Sequence, residues 1–128
     1  MAIRLRNMNS DEGKLDGLLR SCVQEGTFRK AVFSKPVVKS ADLAGRVDVR
    51  PVMIKGRPTF QFTERIGTQE HHRNLSSAEA IEEMTQLAGT TFRDIRLETA
   101  TDEWIARHNR RGRCTLQHSV LTSSVAEA

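Results

Sequence analysis

The stretch from Val47 to Ile66 leaves this chain the fewest choices. It reads Val-Asp-Val-Arg-Pro-Val-Met-Ile-Lys-Gly-Arg-Pro-Thr-Phe-Gln-Phe-Thr-Glu-Arg-Ile, two alternating segments around Lys55-Gly56, which is the pattern of a β-hairpin with a two-residue turn. That turn sets Ile54 opposite Arg57, and the other pairs follow. Val49 meets Phe62, Pro51 meets Phe60 and Met53 meets Pro58 on one face, while Asp48 meets Thr63 and Arg50 meets Gln61 on the other. Pro51 and Pro58 then occupy non-hydrogen-bonded sites, where the ladder does not need their missing N–H groups. The apolar face requires a cover, which the rest of the chain is expected to supply.

Two helices fit that need. Ser10 is placed to cap the first, with Asp11 and Glu12 in its opening turn. Leu15, Leu18, Leu19, Cys22 and Val23 form one apolar stripe, and Gly26 suits the left-handed residue that ends a helix. The stripe is read as a cover for the domain's own sheet in preference to a partner-binding surface. The second helix is predicted over residues 77–88. Ser76 and Glu79 make a capping box, Leu75 a hydrophobic staple, and Gly89 the end.

Residues 28–33 read as a strand and the stretch to Arg46 as a loop. His71-His72-Arg73 suggests a short edge strand, and Phe92–Glu98 a strand whose alternation breaks phase once. Trp104–His108 and Arg113–His118 form a last hairpin around Asn109-Arg110-Arg111-Gly112. The expected fold is α+β, an antiparallel sheet of about six strands covered by two helices, in the order α-β-β-β-α-β-β-β. Residues 1–120 make one domain, and 121–128 a loose tail.

Composition narrows function. With 128 residues, 38% hydrophobic and 28% charged, the chain is an ordinary globular domain. One Trp, five Phe and no Tyr lower the expectation of an aromatic stacking platform for single strands. A formal charge of +4 favours anionic partners. Two cysteines far apart in sequence suggest reduced thiols. Residues 1–9 hold no signal-like apolar run, and no segment is long and apolar enough for a membrane span. A cytoplasmic protein without a membrane partner is expected.

Phosphate-loop, dinucleotide, nucleophile-elbow, zinc-protease and Cys-x-x-Cys motifs are absent, so no cofactor and no catalytic residue is expected and the chain is read as a non-enzyme. His108, Cys114 and His118 share a face of the last hairpin, a soft-metal set by residue type. Half-buried polar residues are the preferred reading, and no metal is expected. Cys22 sits inside its helix stripe and is not a candidate nucleophile. The basic residues carry more. Arg107, Arg110, Arg111 and Arg113 surround the last turn, and Lys55 and Arg57 sit at the first, with Lys35, Lys39, Arg46 and Arg50 nearby. If the two turns lie at one end of the sheet, these six make a positive rim suited to RNA or another polyanion. Charged hairpin tips that merely discourage edge pairing are the plainer explanation.

The motifs also carry a resemblance. Phe33-Ser34-Lys35-Pro36, Val49-Arg50-Pro51-Val52-x-Ile54-Lys55-Gly56, Asn74-Leu75-Ser76 opening a helix, and Phe92-Arg93 leading to Leu97-x-Thr99 resemble the N-terminal domain of a group of bacterial class I S-adenosylmethionine-dependent methyltransferases, over residues 28–118. In that family a Rossmann-like catalytic domain follows, which these 128 residues do not contain, so no cofactor-binding or catalytic residue carries over. The resemblance implies an accessory module that presents or recognises a substrate, alone or beside a separate catalytic chain. The competing expectation is a protein-interaction or homodimerisation module using an open strand edge or the Leu15–Val23 helix.

Overall fold

A computed structural model of the protein describes residues 11–35, 45–90, 92–109 and 113–121. The elements in chain order are α1 (Glu12–Glu25), β1 (Phe28–Ser34), β2 (Arg46–Ile54), β3 (Arg57–Ile66), β4 (Gln69–Leu75), α2 (Ser77–Thr90), β5 (Asp94–Thr99), β6 (Asp102–His108) and β7 (Cys114–Val120). All seven strands join one antiparallel sheet, ordered β4-β3-β2-β1-β5-β6-β7. The α+β class stands, with seven strands in place of about six.

The added strand is β4, which extends the expected His71–Arg73 edge to seven residues. It pairs with β3 from Phe60↔Leu75 to Ile66↔Gln69. Its sequence hides it because six of the seven residues are exposed. Without a buried face no apolar alternation develops. Backbone pairing holds it instead, helped by Arg65–Glu70 at 2.7 Å and a Thr63–His72 hydrogen bond at 3.0 Å.

Both helices lie on one face. Apart from Phe28, which a bulge before Lys30 puts out of phase, the buried apolar strand residues share one parity: Ala31 and Phe33, Val47 and Val49, Phe60 and Phe62, Ile95 and Leu97, Ala106, Cys114. Leu15 and Leu19 of α1 and Ala80 and Met84 of α2 close over them. At roughly 1.5–3 kcal/mol for each large side chain removed from water, this layer is the main favourable term in folding. Among the described residues no helix is long and apolar enough to cross a membrane.

The helix ends follow local chemistry with three corrections. At α2 the capping box forms: the Glu79 N–H donates to Ser76 Oγ at 3.3 Å, and the Ser76 N–H donates to the Glu79 carboxylate at 3.0 Å. Helix α2 then runs through Gly89 to Thr90, because a single glycine weakens a helix by only about 1 kcal/mol. The Phe92 N–H donates to the Leu87 carbonyl at 3.2 Å, and β5 begins two residues later, at Asp94. At α1 the capping position is Asp11, while Ser10 lies outside the described residues. Asp11 caps nothing with its side chain. Its N–H donates to the Cys114 carbonyl at 2.9 Å, and its carboxylate accepts from the Leu116 N–H at 3.0 Å, tying the helix start to β7. Gly26 has φ 78° and ends α1 as expected, with the Thr27 N–H on the Cys22 carbonyl. Of the expected loose tail 121–128, Leu121 is described and its N–H donates to the Thr101 carbonyl at 2.9 Å, while residues 122–128 lie outside the described residues.

Candidate functional site

The Val47–Ile66 hairpin has the predicted register, from Ile54↔Arg57 through Met53↔Pro58, Pro51↔Phe60 and Val49↔Phe62. Lys55 and Gly56 both take positive φ, 52° and 77°, as a hairpin turn matched to strand twist requires. The expectation that the chain covers the whole apolar face is corrected. Val49, Phe60 and Phe62 are buried, but Met53 is 71% exposed and Pro51 and Pro58 are exposed too. The reason is length. β1 pairs with β2 only over Arg46–Val49, and β4 pairs with β3 only over Phe60–Ile66. Residues 52–59 therefore form a two-stranded ribbon that extends about 10 Å past its flanking strands, with Arg50 and Pro51 at its base, where β4 still pairs with β3 at Gln61 and Phe60.

The ribbon is basic throughout. Lys55 and Arg57 lie on it and Arg50 at its base, and the sequence has no Asp or Glu between Val49 and Thr63. None of the three makes an ion pair among the described residues.

Arg107 and Arg113 do not join them. β6 runs antiparallel to β2, since each is related to β1 through antiparallel neighbours, β5 in one case and direct pairing in the other. The β2–β3 and β6–β7 turns consequently leave the sheet at opposite ends, and the single rim at one end is not assembled. Arg107 lies level with Arg46 across the sheet, and Lys55 is nine residues farther along β2, about 30 Å at 3.3 Å per residue. Arg113 is exposed beside the far turn, which closes through the Asn109 N–H on the Arg113 carbonyl and the Arg113 N–H on Asn109 Oδ1, both 2.9 Å. Arg110 and Arg111, like Lys39, lie outside the described residues.

The face of the sheet away from the helices is polar and open. It bears a depression of about 290 Å³ lined by Lys30, Ser34, Arg46, Asp94, Arg96 and Arg107 over Val32 and Ile105. Its charge is largely balanced internally. Arg46 grips Asp48 through two contacts at 2.7 and 3.1 Å, which raises the arginine pKa. Arg96 reaches Glu103 at 3.8 Å. Beside it Arg65 holds Glu70, and that guanidinium, with His72, draws the carboxyl below its ordinary value. The ribbon differs in having basic groups with no such counterweight.

The histidine–cysteine set does not converge. His118 stacks on Trp104 at 3.9 Å and bonds Asp102 at 2.7 Å. The Thr101 hydroxyl and then His118 lower the Asp102 pKa. His108 opposes Cys114, four residues from the Trp104–His118 rung and so about 13 Å away, too far to share one ion. Among the described residues no group of three or more His, Cys, Asp or Glu could hold a metal. Both ring nitrogens of His108 are buried and have no hydrogen-bond partner among the described residues. Cys22 and Cys114 are buried and form no disulfide, and burial pushes the Cys22 thiol up to about 11, which suits a packing residue and not a nucleophile.

Residue-by-residue reading missed that Arg50 belongs with Lys55 and Arg57, because nothing in the sequence marks where neighbouring strands stop. Comparison of the chain with protein-family models, with curated proteins and with solved structures finds no match.

Proposed function

We propose that this chain is a non-catalytic binding module that takes a polyanion, a nucleic-acid backbone above all, on the projecting β2–β3 ribbon. The observation behind this reading is the basic charge of the ribbon and its base: Lys55 and Arg57 on the ribbon and Arg50 below them, with no acid in the sequence between Val49 and Thr63. A two-stranded ribbon also has the width of the major groove of a B-form duplex, about 12 Å. The deep, narrow major groove of A-form RNA excludes side chains, so RNA is a partner through single-stranded or irregular regions. Exposed Met53 and Pro58 beside the cations provide the apolar wedge that groove-binding arms press between base steps. Recruiting such a polyanion for a methyltransferase, in cis or on a separate chain, is the role the motif resemblance adds, and it rests on those motifs alone. A cytoplasmic location accords with nucleic acid as partner and with reduced thiols.

Heparin chromatography tests the reading. The protein should be retained at low salt, and the Arg50→Glu/Lys55→Glu/Arg57→Glu variant should pass through with its circular dichroism unchanged. If both proteins elute unretained, or both are retained equally, the reading fails.

A further inference from the structure

Three cations of the depression on the helix-free face fall on one diagonal of the sheet. Lys30 of β1 stands opposite Glu98 of β5, two residues to one side of Arg96. Arg107 of β6 stands opposite Asp94, two residues to the other side. Diagonal neighbours on one face lie roughly 7–8 Å apart, within reach of long side chains. Arg96 shares its rung with half-buried Val32 and Ile105, so an apolar floor flanks the middle of the line.

The cations of the depression are engaged to different degrees. Arg46 is held by Asp48 at 2.7 and 3.1 Å, so its fork is occupied. Arg96 meets Glu103 only at 3.8 Å, beyond hydrogen-bond length. Lys30 and Arg107 make no ion pair among the described residues. The wall also holds the acid Asp94 and the Ser34 hydroxyl, whose contact with the Asp94 carbonyl, at 3.5 Å, is too long to hold it in place. A carboxylate beside three cations disfavours a bare anion and favours a ligand that brings hydroxyl donors together with its charge.

We propose that this depression binds a small sugar or polyol phosphate. The phosphate sits on the Lys30–Arg96–Arg107 line, where its three acceptor oxygens and double charge match two guanidinium forks and an ammonium group. A carboxylate, with fewer oxygens and less charge, leaves one of the three cations unmet. The ligand's hydroxyls bond Asp94 and Ser34, and the carbon face of its body rests on Val32 and Ile105. A volume of about 290 Å³ is at the small end of ligand pockets and suits one small molecule. The proposal is independent of the polyanion reading, because Lys30, Arg96 and Arg107 lie on β1, β5 and β6 and not on the ribbon.

Titration of the full chain with ribose 5-phosphate, followed by amide chemical shifts in nuclear magnetic resonance spectra, provides the test. Saturable shifts should appear at Val32, Arg96 and Ile105, with a Kd of about 1 mM or tighter. Arg96→Gln/Arg107→Gln should weaken binding at least about tenfold, the loss expected for charge-assisted hydrogen bonds. Lys30→Gln, at the other end of the line, should weaken it in the same direction. Ribose should not bind, and inorganic phosphate should bind about tenfold more weakly than ribose 5-phosphate. Asp94→Asn should narrow that gap, because it removes both the repulsion of a bare anion and the charged acceptor of the sugar hydroxyls. Lys55→Glu/Arg57→Glu, on the ribbon, should bind ribose 5-phosphate like the parent, so this site and the polyanion site fail separately. Absence of saturable shifts, binding that survives both Arg96→Gln/Arg107→Gln and Lys30→Gln, or inorganic phosphate held as tightly as ribose 5-phosphate overturns the proposal. A short duplex that displaces ribose 5-phosphate overturns it as well, and assigns the depression to the polyanion surface.

Discussion

Met53 and Phe62 sit on the same face of one hairpin, yet the structure gives them opposite energetic weights. Phe62 is 1% exposed, beneath the helices. Met53 is 71% exposed, on the ribbon. Phe62→Ala removes a buried ring and leaves a cavity, at about 3–5 kcal/mol. In a domain of this size each kcal/mol moves the melting temperature by about 4 °C, so the loss should be about 12–20 °C. Full burial of a Met side chain is worth about 1.5–3 kcal/mol. Less than a third of that applies at position 53, so Met53→Ala should cost well under 1 kcal/mol and shift the melt by no more than about 3 °C. Urea denaturation followed by far-ultraviolet circular dichroism measures both variants. A cost above about 2 kcal/mol for Met53→Ala would mean that the hairpin face is covered beyond Phe60, and the projecting ribbon would not exist.

Other variants probe the helix cap and the buried histidine. Ser76→Ala should cost about 1 kcal/mol by removing the α2 cap. The Ser76 backbone N–H and then its hydroxyl hold the Glu79 carboxyl below its ordinary 4.5. A carboxyl lowered in the folded state stabilises fully above its unfolded pKa and loses that stabilisation as pH falls through the folded value. The stability difference between the parent and Glu79→Gln should therefore shrink as pH falls below 4.5, as seen in urea midpoints taken across that range. His108→Leu should raise the midpoint, by about 1 kcal/mol or more, because it removes two buried polar atoms without partners among the described residues. A lower midpoint would show that the imidazole makes a contact the fold depends on.

Most of the fold was legible where the chain alternates against a buried face. The register of the first hairpin followed from Lys55-Gly56, that of the last from Asn109–Gly112, and the start of α2 from Ser76 and Glu79. In each case a few residues within one turn determine the geometry. β4 was only partly legible, since an edge strand exposed on both faces has no period to read. The site was less legible. Charge runs identified Lys55 and Arg57, but whether they meet Arg107 and Arg113 depends on the relative direction of β2 and β6, which no local pattern encodes. Arg50 lies at the base of the ribbon because β1 stops pairing with β2 at Val49 while β4 still pairs with β3 at Gln61. Asp11 looked like a residue of a helix's first turn and instead bonds β7, about a hundred residues away in sequence.

The separation of the two turns makes the central claim directly measurable. Binding to a duplex of about 20 base pairs, followed against salt, gives a slope of log K on log salt close to −0.9 for each phosphate neutralised. Arg50 and the two ribbon cations predict a slope near −3 for the parent. Arg50→Glu/Lys55→Glu/Arg57→Glu should abolish binding, and Arg107→Glu/Arg113→Glu should leave the slope within about one unit of the parent's. Binding that survives the ribbon substitutions and is lost with the Arg107 and Arg113 pair would contradict the account.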